Sequence, residues 1–325
     1  MERRRLRRTD HTVGRAILQP MRQNPLGRSG LRVSAVGLGC NNFGRRLDRA
    51  GARAVIDAAL DAGITLFDTA DIYGGDGASE RLIGEALEGR RDRVVLATKF
   101  GLALSGDSGE PRGSRAYARR ALAASLKRLR TDRVDLLYYH EPDGVTPLAE
   151  TLGALAELAD EGTIRAYGVS NLDAAQLREA AALGDPRLAA LQNEYSLLER
   201  SAERELLPLC REHGIGFVPY FPLAHGLLSG KFRRGEPPPP GSRLADRPER
   251  LTEAVFDRVE ALERFAAQRD HSLLELAFAG LGARPEVASV IAGAMSPEQV
   301  AANAAAGSWE LGADDVAALA REPAP

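Results

Sequence analysis

The sequence predicts an α/β fold of the (β/α)8 TIM-barrel class, entered through an N-terminal β-hairpin. Three observations carry that expectation. Short leucine-rich or β-branched runs alternate eight times with longer Ala/Leu/Glu/Arg segments of helical period. The short runs are apolar on both faces, as strands of a helix-covered parallel sheet are. A chain of 325 residues also suits one large barrel. An open doubly wound sheet would want Gly-x-Gly-x-x-Gly after its first strand. Here Gly37-Leu38-Gly39-Cys40-Asn41-Asn42 puts Asn where the third glycine belongs.

Residues 1–20 stand apart, with five arginines among the first eight positions and no hydrophobic periodicity before Met21. They read as a disordered basic tail, or as an extension ahead of a true start at Met21. Glu2, Asp10 and the lack of an apolar face argue against a targeting helix. The barrel is expected over 21–325. Residues 24–34 read as a hairpin turning at Arg28-Ser29-Gly30. Strands are expected at 35–39, 64–69, 94–100, 134–140, 166–170, 188–194, 216–223 and 287–293. Helices are expected at 48–61, 79–89, 114–130, 147–161, 173–183, 202–213 and 251–269. Ser296, Pro297 and Gln299 form a helix-start signature after the last strand, a place that favours an anion. Two long loops, 101–113 and 231–248, follow the third and seventh strands and read as lids at the rim where barrels keep their chemistry.

Hydrophobic residues make up 44% and charged residues 27%, the balance of a globular protein. Lys+Arg number 43 against 45 Asp+Glu, so a net charge of −2 offers no field for nucleic acid or anionic membrane. No apolar run approaches the ~18 residues a membrane span needs. Cys40 and Cys210 lack disulfide-framework or metal-site spacing and read as buried thiols in a reducing cytoplasm. We therefore expect a cytoplasmic protein without metal, nucleic-acid or membrane partners, a monomer or weak homo-oligomer.

Four polar groups interrupt this apolar pattern at successive strand ends: Asp68 at the end of the second with Tyr73 in the loop that follows, Lys99 at the end of the third and His140 at the end of the fourth. Adjacent strands would bring all four to one rim. A buried carboxylate and ammonium need each other, and Asp68 with Lys99 alone would be an ordinary barrel-end salt bridge. With a phenol and an imidazole added, the set suits proton transfer to a carbonyl oxygen gaining negative charge.

Phe67-Asp68-Thr69-Ala70-Asp71-Ile72-Tyr73-Gly74, Ala97-Thr98-Lys99 and His140-Glu141-Pro142-Asp143 resemble the Asp/Tyr/Lys/His tetrad of the aldo-keto reductase superfamily. Gly168-Val169-Ser170-Asn171, Leu191-Gln192-Asn193-Glu194-Tyr195-Ser196, Pro219-Tyr220-Phe221-Pro222-Leu223, Gly226-Leu227-Leu228-Ser229-Gly230-Lys231 and Ser296-Pro297-Glu298-Gln299 follow in the family's order. The likeness runs from residue 23 to about 306. It implies metal-free hydride transfer between a nicotinamide cofactor, usually NADP(H), and a small carbonyl or alcohol substrate. It also implies roles. Tyr73 would be the acid in reduction and the base in oxidation, with a phenol pKa lowered by Lys99. Asp68 would hold Lys99, and His140 would position the carbonyl.

Ser170, Asn171 and Gln192 would bond the nicotinamide carboxamide, and Tyr220 would stack on its ring. Phe221, Pro222, Leu223, Gly226, Leu227, Ser229 and Lys231 would follow the pyrophosphate, with Gly293, Ala294, Gln299 and Asn303 completing the cofactor set. Gly293 and Gln299 stand where many NADPH-preferring relatives place lysine and arginine, Met295 where others keep arginine, and Phe221 where serine is usual. NADP(H) is therefore expected with NAD(H) also accepted. Lys231, Arg233, Arg234 and Arg243 would compensate only if their loop folds over the cofactor. Glu141, often arginine in such relatives, would alter the charge at the substrate mouth. Two rival functions share the fold: a cofactor-binding accessory subunit, and an aldolase using Lys99 as a Schiff-base nucleophile.

Overall fold

The structure is a computed structural model that describes residues 21–105 and 109–321. The expectation for residues 1–20 lies outside the described residues. The hairpin pairs β1 (Gln23–Pro25) with β2 (Arg32–Ser34), antiparallel, with Asn24 opposite Val33. Leu26, Leu31 and Val33 of this hairpin pack among Leu66, Ala97, Leu136, Ala166, Ala190 and Val218 inside the barrel, so it plugs the floor. Gly27 is required at its tip. Its φ is +54°, and a Cβ there would lie 2.5 Å from the Ala189 carbonyl oxygen.

Eight parallel strands follow in the ring: β3 (Val36–Gly39), β4 (Leu66–Asp68), β5 (Val95–Phe100), β6 (Val134–Tyr139), β7 (Ile164–Ser170), β8 (Leu188–Gln192), β9 (Gly216–Phe217) and β10 (Val290–Gly293). From β3 to β9 each pairs with the next, and β10 pairs with β3. Phe217 closes the circle by bridging Val287, with Phe217 N–H donating to the Glu286 carbonyl at 2.7 Å. The eight-stranded barrel is as expected. The seventh strand is shorter than the 216–223 expected, because Pro219 and Pro222 have no N–H for a ladder and only the Glu194–Tyr220 bridge continues it.

Helices α1 (Arg49–Asp61), α2 (Ala78–Ala86), α3 (Arg115–Leu129), α4 (Leu148–Asp160), α5 (Ala174–Ala182), α6 (Leu206–His213) and α7 (Glu253–Ala267) lie where the periodicity puts them. Their starts follow cap chemistry: the side chains of Asp48, Ser114, Asp173 and Thr252 each accept a backbone N–H of the first turn. The sixth begins at 206, not 202. Pro208 sits in its first turn, and one turn further back its ring would meet a helical carbonyl.

Two helices were not expected, α8 (Leu273–Gly282) and α10 (Ala313–Arg321). The first is buried on nearly every face, so it carries no amphipathic period to read. Between them α9 (Pro297–Ala306) starts at the expected Ser296 cap, whose Oγ accepts from Gln299 N at 3.4 Å. Gln299 Oε1 reaches back to Met295 N (2.9 Å), one residue beyond the cap.

Candidate active site

The tetrad assembles where β4, β5 and β6 end side by side. Lys99 is fully buried and Asp68 is 2% exposed. Lys99 Nζ donates to Asp68 Oδ1 at 2.5 Å, to the Thr69 carbonyl at 3.0 Å and to the Tyr73 hydroxyl at 3.4 Å. The second Asp68 oxygen accepts from Gln192 Nε2 at 2.9 Å, so Gln192 joins the support of the tetrad. His140 meets the Tyr73 ring edge to face at 5.9 Å. Its Nδ1 is buried without a hydrogen-bond partner among the described residues.

Burial sets the protonation states. It works against the Lys99 charge, but Asp68 and Tyr73 outweigh it and hold the ammonium above its ordinary value. Burial raises the Tyr73 phenol while Lys99 pulls it down, and the net direction is up. The expected lowering by Lys99 is therefore present but outweighed. Burial, then the Lys99 charge, push His140 down to about 3, leaving a neutral imidazole near pH 7. A lysine held as its ammonium is a poor amine nucleophile, which argues against the Schiff-base reading.

Above the tetrad opens a cleft of about 890 Å³. Ser170, Asn171, Gln192, Tyr220, Phe221, Pro222, Leu223, Gly226, Ser229, Lys231, Gly293, Gln299 and Asn303 line it, along with Asp68, Tyr73 and His140. Leu227 and Ala294 do not. Both pack in the hydrophobic core, because each sits one step round from a cleft-facing neighbour. The wall is internally braced. Asn171 accepts from Tyr220 OH (2.8 Å) and donates to the His140 carbonyl (3.0 Å), while Ser170 Oγ donates to the Gln192 carbonyl (2.7 Å).

The turn after Tyr220 holds Phe221 at φ 51°, Ala224 at 45° and His225 at 59°. Bulky side chains seldom adopt this left-handed region, each instance costs about 1–3 kcal/mol, and such strain gathers at binding sites. The long loop folds over the cleft. Arg243 donates to Asn41 Oδ1 at 2.8 Å across the opening and lies 5.5 Å from the Phe221 ring. Arg233 and Arg234 instead face α7, paired with Glu263 and with Glu253, Asp257 and Glu260.

Cys40, Asn41, Asn42 and Arg46 also line the cleft and were not singled out as site residues. Their signal was positional, since they follow the end of the first barrel strand as Tyr73 follows that of the second. The donor set fits a nicotinamide dinucleotide. Lys231, Arg243 and Arg46 have no acidic partner among the described residues, and the first two have pKa values lowered by burial and by neighbouring cations. Such a cluster suits a phosphate-bearing ligand.

The profile of the aldo/keto reductase family matches residues 35–321. The chain belongs to that family. Among solved structures, aldo-keto reductase AKR11C1 from Bacillus halodurans (holo form) superposes with a TM-score of 0.79 at 35% identity, covering 93% of this chain and 96% of that one. Among known protein sequences, a probable voltage-gated potassium channel subunit beta of Oryza sativa subsp. japonica is 36% identical over 301 residues, 87% of this chain and 90% of the relative. Family membership and fold support an oxidoreductase of the aldo/keto reductase type acting on small molecules. No helix among the described residues is long and apolar enough to cross a membrane.

Proposed function

We propose that this aldo/keto reductase reversibly reduces aldehydes or ketones with NADP(H), accepting NAD(H) less well, and that Tyr73 donates the proton. The observation that carries the reading is the relay from cleft to core, Tyr73 hydroxyl to Lys99 to Asp68. A phenol whose pKa burial has raised keeps its proton until a carbonyl oxygen gains negative charge. Lys99 then stabilises the tyrosinate left behind, and Asp68 keeps Lys99 charged and in place. The neutral His140 orients the carbonyl oxygen by hydrogen bonding without competing as an acid. When bound, the nicotinamide cofactor supplies or accepts the hydride. Ser170, Asn171, Gln192 and Tyr220 would hold its nicotinamide end. Lys231, Arg243 and the 223–226 backbone would meet its phosphates, and Gly293, Gln299 and Asn303 its adenosine.

The test is single-turnover oxidation of bound NADPH by a panel of aldehydes, ketones and sugars. Absence of turnover with cofactor firmly bound would overturn the reading in favour of an accessory subunit. The likeness to the rice relative supports that second reading, and the complete tetrad argues against it. A cytoplasmic setting and a monomeric or weakly associating state are part of the same proposal.

A further inference from the structure

Behind Tyr73 lies an ionic cluster that the proposed chemistry does not use. Asp71, two residues before the proton donor, is fully buried. Neither of its carboxyl oxygens meets a donor in good hydrogen-bond geometry among the described residues, the adjacent Ile72 N–H included. The charged groups facing it are Glu80 of α2, Arg128 of α3 and Lys99 of β5. Two of the three are already committed elsewhere. Glu80, also fully buried, accepts from Thr98 Oγ1 at 2.6 Å and from Arg128 Nε at 2.5 Å. Lys99 is held by Asp68. Arg128, besides bonding Glu80, donates to Ser125 Oγ at 3.0 Å and packs its side chain against Gly77 at the loop's end. Two carboxyls thus share one guanidinium, and Glu80 has it.

We infer that Asp71 is a positioning residue whose carboxyl must carry its proton for the 70–77 loop to hold Tyr73 against Lys99. The inference rests on the role proposed for Tyr73. An ionised Asp71 would be a buried charge with a like-charged neighbour and no cation to itself, which is costly enough to move whatever holds it there. Few bonds tie the loop to the rest of the protein: Asp71 N donates to the Lys99 carbonyl and Ser79 N to the Tyr73 carbonyl, each at 3.1 Å, and Ser105 N donates to Asp76 Oδ1 at 3.2 Å, while the bonds from Tyr73 N to the Ala70 carbonyl and Gly75 N to the Ile72 carbonyl lie within the loop itself. Loss of the Asp71 proton to solvent therefore acts on the segment between those ties, the one that carries the Tyr73 hydroxyl. Burial, then the Glu80 charge, push the Asp71 carboxyl up to about 7, with Arg128, the Ile72 N–H and Lys99 pulling the other way. The change of state falls near neutrality.

The test compares each protein with itself across pH. Between pH 6 and pH 8.5, wild-type kcat for aldehyde reduction should fall roughly thirtyfold, the loss of protonated fraction for a group titrating near 7. In Asp71→Asn, which cannot ionise, the same ratio should be within about threefold. A variant that keeps the wild-type fall overturns the inference, and so does a wild-type ratio near one. Amide hydrogen exchange of wild-type protein without substrate provides a second readout that needs no variant and no turnover. Over the same pH range, the 70–77 amides should lose protection beyond the base-catalysed chemical rate, while those of β7 keep theirs. Unchanged protection overturns the inference, as would happen if Arg128 swings from Glu80 to Asp71. Turnover absent at every pH defeats the proposed function instead, and the exchange result still decides whether the Asp71 proton holds the loop.

Discussion

Replacing Lys99 by methionine keeps most of the side-chain volume and deletes one charge in a fully buried position. The cost can be worked from its contacts. Asp68, 2% exposed, would keep only the Gln192 bond, and the Thr69 carbonyl would lose its side-chain donor. Breaking a buried pair by removing one partner costs about 3–5 kcal/mol.

We expect a loss of about 4 kcal/mol in urea unfolding at pH 7. Adding Asp68→Asn should recover most of the pH 7 loss. A deficit under about 1 kcal/mol at pH 7 would refute the claim that these two charges sustain each other.

Tyr73→Phe should lower kcat for carbonyl reduction by roughly 10²–10⁴-fold while leaving cofactor affinity nearly unchanged, and turnover near wild type would remove Tyr73 from its assigned role. Gln299→Arg should raise the preference for NADPH over NADH by roughly tenfold or more in kcat/KM, the value of one charge-assisted pair on the adenosine phosphate. That prediction fails if the wild type already rejects NADH by several orders of magnitude, which would place phosphate recognition on Lys231 and Arg243. The neutral His140 has a sign of its own: its folded pKa of about 3 lies below the unfolded value, so the stability it contributes is present above about 6.5 and is lost as pH falls toward 3. His140→Asn should flatten that part of the acid unfolding curve, and an unchanged curve would show that the acid lability lies elsewhere.

The tetrad could be read from sequence because it breaks a rule. A charged or polar side chain at the end of a buried strand has to be answered by a neighbour, and adjacent strands supply the geometry without further information. Gln192 illustrates the limit. Its place at a strand end was legible, but its bond to Asp68 joins residues far apart in sequence, across strands that are not neighbours in the ring. Arg243 and Arg234 show the same limit in a loop. Both are arginines in one long segment, yet one reaches Asn41 across the cleft and the other turns to the acidic face of α7. Only the fold of the loop separates them. Helix α8 was hidden for the opposite reason: it is buried all round, and periodicity reports only a face that differs from its opposite.

The way the ring is closed has a consequence for how the chain reaches it. Val36 in β3 pairs with Val290 in β10, so the first barrel strand finds one of its two neighbours near the far end of the polypeptide. During synthesis the edge of β3 that β10 will cover stays open until almost the whole chain has emerged, and the Phe217–Val287 contact waits for the same segment. Contacts so distant in sequence make closure slow, and an open strand edge is where one chain pairs wrongly with another. A chain cut short before residue 287 would lose the eighth strand and with it both seams of the ring at once.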